Sequence, residues 1–84
     1  MEKIPITNKD IEVFNFLIDM ACAIRYFKWV YQYPKTIRVD TEHYRAIQEH
    51  GKYWVKINDN NEMIFQNVII IEDTENKGKF MVMN

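Results

Sequence analysis

No serine occurs in the chain, which removes every serine-based nucleophile and its triads from consideration. The single cysteine, Cys22, cannot close an internal disulfide. No charged-then-apolar leader is visible either, so the expected compartment is a reducing one, most simply the cytoplasm. Only two glycines are present, Gly51 and Gly78, and each stands alone. Without a glycine-rich loop to bring backbone N–H groups against a phosphate, mononucleotide handling by that route is excluded. Neither sign of charge prevails: eleven Lys and Arg against twelve Asp and Glu leave −1, and no global field draws in nucleic acid or an anionic membrane. Glu12, Asp19, Arg25 and Lys28 interrupt the most apolar stretch, so no run of about 18 apolar residues remains to cross a bilayer.

What is present suits one globular domain spanning residues 1–84. The composition is 48% hydrophobic and 27% charged, and five Phe, five Tyr and two Trp bring the aromatics to 14%. A chain of this length has room for one core. Ile, Lys and Asn supply 28 of the 84 residues; their A/T-rich codons suggest a low-GC genome, such as a Gram-positive bacterium or one of its phages. Charge is distributed unevenly. Residues 1–24 carry net −2, residues 25–56 net +4 and residues 57–84 net −3.

Met1 to Ile6 is expected to be extended, because Pro5 disfavours helix before it. Thr7 and Asp10 have the spacing of a capping box. Nothing then breaks a helix from Asn8 to about Tyr33, where Pro34 supplies the stop. Glu12, Asn15 and Asp19 mark one face of its first half, and Arg25, Lys28 and Gln32 a different face of its second half. The rest is apolar or aromatic, so this helix must be covered on most sides, and self-association along it is the economical way. Lys35 to Asp40 alternates as a short strand, Glu42 to His50 reads as a short helix, and Gly51 closes it where left-handed geometry is expected. Lys52 to Asn58 reads as a second strand, Asp59 to Glu62 as a turn, and Met63 to Glu72 as a third strand bulged at Gln66-Asn67. A loop from Thr74 to Lys79 leads to a last strand at Phe80 to Met83. The expected fold is α+β: a long N-terminal helix on a small, mostly antiparallel sheet with a short second helix, in the order α-β-α-β-β-β. Val68 to Ile71 with Phe80 to Val82 would form a β-prone edge that needs covering, a second pointer to a homo-oligomer such as a dimer.

No complete catalytic constellation is visible, and the chain is expected not to be an enzyme. His43 and His50 lie seven residues apart rather than at the four-residue spacing that lets two rings share an ion. Asp59 to Glu62 lacks the alternation and glycine of a calcium loop. No metal or cofactor is expected. Cys22 sits between Ala21 and Ala23, where a thiol is ordinarily inert packing. The segment to single out is basic and aromatic: Arg25, Lys28, Trp29, Tyr31, Tyr33, Lys35 and Arg38. Aromatic faces beside cations suit a protein–protein contact, which favours Trp, Tyr and Arg, and equally suit stacking on bases. They would also suit a core whose flanking cations are solvated. The acidic ends of the chain weigh against a long polyanion.

Pro34-Lys-Thr-Ile-Arg-Val-Asp and Tyr44, followed by the Ile/Val-rich strand and a short final one, resemble patterns in small phage-encoded α+β proteins. The resemblance covers about half the chain. It implies a non-enzymatic protein that inhibits or regulates a host or defence protein by contact, in the manner of anti-CRISPR and other anti-defence proteins. A virion or assembly component, or a protein that sequesters nucleotides or binds nucleic acid, would be the alternatives.

Overall fold

The computed structural model describes residues 6–76 and 80–83. Helix α1 runs Asn8–Val30, β1 Thr36–Val39, α2 Thr41–His50, β2 Lys56–Ile57, β3 Met63–Phe65, β4 Val68–Glu72 and β5 Phe80–Met83. Five strands form one sheet in the order β2-β3-β4-β1-β5. Both helices lie on one face of it and touch each other, α1 against β5 and α2 against β4. This is the expected α+β architecture. Most ladders are antiparallel, but the neighbouring interior strands β4 and β1 run parallel, with Ile37 opposite Ile70.

Helix α1 starts where the sequence marks it. The Thr7 hydroxyl accepts the Asp10 N–H at 3.1 Å, and the Asp10 carboxylate accepts the Thr7 N–H at 2.9 Å, so two orphan donors of the first turn are satisfied reciprocally. Thr7→Ala should lower the unfolding free energy by about 1 kcal/mol in urea titration. The helix ends earlier than expected, at Val30. Tyr31 leaves helical geometry with φ −122° and ψ −89°, and its N–H makes the closing bond to the Phe27 carbonyl. The residue before Pro34 must be extended, and the chain uses the intervening positions to turn toward β1.

Val13, Leu17, Met20 and Ile24 form the inner stripe of α1. They pack on Ile37 and Val39 of β1, Met63 and Phe65 of β3, Val68 and Ile70 of β4, and Ala46 and Ile47 of α2, with Phe80 and Val82 of β5 alongside. The expectations for the strands need revision in three places. Lys52 to Asn58 is a strand only at Lys56–Ile57, because the N–H groups of Trp54 and Val55 both bond back to the Gly51 carbonyl. Met63 to Glu72 is a hairpin rather than a bulged strand: Gln66 and Asn67 hold φ of 51° and 65° between the paired Phe65 and Val68, as a two-residue type I′ turn requires. Val68 to Ile71 is therefore an interior strand, and of that expected edge only β5 stands at the margin. Asn67→Gly should raise stability by about 1 kcal/mol, since glycine carries no steric penalty at positive φ. Most of the Met1 to Ile6 segment, and the Gly78 end of the loop before β5, lie outside the described residues.

Candidate functional site

The last turns of α1 and the connection to β1 carry six of the seven residues singled out. Arg25, Lys28 and Trp29 stand on the helix, Tyr31 and Tyr33 in the connection, and Lys35 just before β1; all are exposed. Trp29 is 87% exposed, Tyr31 70% and the neighbouring Tyr26 68%. The aromatics ring the helix end rather than share a side, because positions 29 and 31 point to nearly opposite faces of a helix. Tyr31 leans on Phe27 at 5.1 Å between centroids. Lys28 Nζ sits 5.7 Å above the Tyr33 ring, a cation–π contact. Tyr33 has a structural task as well, since its hydroxyl donates to the Gln66 carbonyl and ties the helix end to the β3–β4 turn. Among the described residues, no carboxylate lies within ion-pair distance of Arg25, Lys28 or Lys35.

Arg38 is not part of this group. It alternates with the buried Ile37 and Val39, so its side chain leaves β1 on the helix-free face, where it lies 3.9 Å from Asp73. That face also carries Ile64, Ile69, Ile71, Met81 and Met83, and Ile71 and Met81 are exposed. The sequence signal for this second apolar surface was the unbroken Val68 to Ile71 run, which presents side chains to both faces.

No protein-family model, curated protein or solved structure matches this chain.

The histidines stand beside carboxylates. His43 Nδ1 lies 2.6 Å from Oδ1 of the buried Asp40, and its ring stacks on Phe16 at 4.1 Å. His50 Nδ1 lies 2.8 Å from Asp10 Oδ1 and so joins α2 to the first turn of α1. Asp10 thereby titrates below the usual 3.8, first because it accepts the Thr7 N–H and second because of His50. A carboxyl whose folded value is depressed adds stability that is complete above 3.8 and is lost as pH falls through the lower folded value. Asp10→Asn should therefore melt below the parent at neutral pH and converge on it in acid, as thermal melts across that range would show.

Cys22 is exposed on the outer side of α1, not packed inside it. The described ring contacts of His43 and His50 are to Asp40, Phe16, Asp10 and Glu49, so neither ring forms a dyad with Cys22. Among the described residues, no group of three His, Cys, Asp or Glu is placed to hold a metal ion. No described helix is long and apolar enough to cross a membrane.

Proposed function

We propose that the protein acts by protein–protein contact, with the aromatic and basic end of α1 as the binding surface. The observation that carries this is the exposure of Tyr31 near Lys28 and Lys35, two cations with no carboxylate at ion-pair distance among the described residues. Aromatic area left wet is costly, and Tyr beside basic groups is an anchor that interfaces favour. The bases give the surface local positive charge while the whole chain stays near neutral, which favours an acidic protein patch over a long polyanion. In this reading the protein is a phage-borne inhibitor or regulator that meets a host or defence protein in the cytoplasm. The abundance of Ile, Lys and Asn, whose codons are A/T-rich, and the likeness to small phage proteins support that setting.

The test is capture of a partner from bacterial lysate on the tagged protein, compared with a Lys28→Glu, Lys35→Glu double variant and with Tyr31→Ala. A stoichiometric protein bound by the parent and lost from both variants, with their melting temperatures unchanged, is the expected result. Capture that is indifferent to all three substitutions would remove this surface from consideration.

A further inference from the structure

The side of α1 turned away from the sheet has an order of its own. Ile11, Asn15, Ile18, Cys22, Arg25 and Trp29 run along it, opposite the inner stripe, and all are exposed. Their spacing alternates four and three residues, which is the seam of a helix that pairs with another helix. The seam is also symmetrical about Met20. Ile11 and Trp29 stand nine residues from it on either side, Asn15 and Arg25 five, and Ile18 and Cys22 two.

Two copies running antiparallel about a two-fold axis at that level would meet with matched chemistry in every layer. Ile11 would face the partner's Trp29, Ile18 the partner's Cys22, and the Asn15 carboxamide the partner's Arg25. Glu12 and Asp19 flank Asn15 along the helix, so the incoming guanidinium would arrive between two carboxylates. A parallel pairing would instead oppose Arg25 to Arg25 and Trp29 to Trp29. The charges of the helix, acidic in its first half and basic in its second, favour the antiparallel arrangement.

A separate feature falls in the layer of Ile11. An apolar hollow of about 320 Å³ opens beside the first turns of α1, lined by Ile6, Asp10, Ile11, Phe14 and Trp54. Trp29 is the most exposed large apolar side chain described, and it belongs to the layer of the partner's Ile11. We infer that the protein forms an antiparallel two-fold dimer along α1, in which Trp29 of each copy enters the hollow at Ile11, Phe14 and Trp54 of the other. This extends beyond the contact surface proposed above, because the seam takes Arg25 and Trp29 and leaves Lys28, Tyr31 and Lys35 of each copy outside.

Sedimentation equilibrium with cysteine cross-linking tests the arrangement. The parent protein should be a dimer. Trp29→Ala and Ile18→Glu should each raise the dissociation constant at least about 100-fold, the first by removing the anchor and the second by burying two unpaired carboxylates. Far-UV circular dichroism and a cooperative melt would show both variants folded. Under mild oxidation Ile18→Cys should give a disulfide-linked dimer with the partner's Cys22, whereas the parent, whose two Cys22 thiols lie in different layers, should not. A monomer up to the solubility limit would overturn the inference, as would a dimer indifferent to both substitutions or a Cys22-to-Cys22 cross-link in the parent.

Discussion

Met20→Ala is expected to lower the free energy of unfolding by about 2–5 kcal/mol. Met20 has 0% exposure at the middle of the inner stripe of α1, between Leu17 and Ile24, and it is among the largest fully buried side chains. Truncation removes its transfer free energy and leaves a cavity that sheet and helix cannot close without losing other contacts. A small domain holds a total of about 5–15 kcal/mol, so this one change should bring a visible unfolded population near physiological temperature. Urea titration should show a lower midpoint with an unchanged slope. Ile57→Ala, on the exposed side of β2, should stay within about 0.5 kcal/mol of the parent.

Gly51→Ala should have the second-largest effect, about 1–3 kcal/mol, and the reason differs from the one the sequence suggests. Gly51 ends α2 with φ −102°, which is not left-handed. An added Cβ would stand 2.8 Å from the Ile47 carbonyl oxygen and 3.1 Å from Ile47 Cγ2. The carbonyl is fixed by the N–H of Gly51 itself, so it cannot retreat without opening the helix end. Asparagine, which tolerates left-handed backbone, distinguishes the two explanations. Gly51→Asn should be at least as destabilising as Gly51→Ala, and a near-neutral Asn variant would show that close approach is not what selects glycine here.

The parts of the fold that were legible in the sequence depend on local chemistry. The Thr7–Asp10 box, the uninterrupted helix before Pro34 and the alternation at Ile37 and Val39 each state their structure within a few residues. The errors arise where distant partners decide. Met63 to Glu72 has the composition of one strand, and only the pairing of Phe65 with Val68 makes Gln66-Asn67 a turn. Lys52 to Val55 has strand composition too, yet the Gly51 carbonyl holds it in a turn. Burial was the harder property to read. The aromatics from Tyr26 to Tyr33 could equally have been core, because α1 is apolar on its inner and outer sides alike and periodicity cannot choose between two apolar faces. Arg38 was grouped with its sequence neighbours, but strand alternation carries it to the other face of the sheet.

Strand β1 joins two partners that come much later in the chain. Its residues 36–39 lie against 69–72 on one side and 80–83 on the other. Helix α1 and the β3–β4 hairpin involve only near neighbours and can form as soon as they are made, whereas β1 must wait for two long loops to close. During synthesis the chain therefore carries an Ile/Val strand whose second edge stays open until residue 83 has emerged. The outermost ladder of the finished sheet, β1 with β5, is the last part of it to be completed.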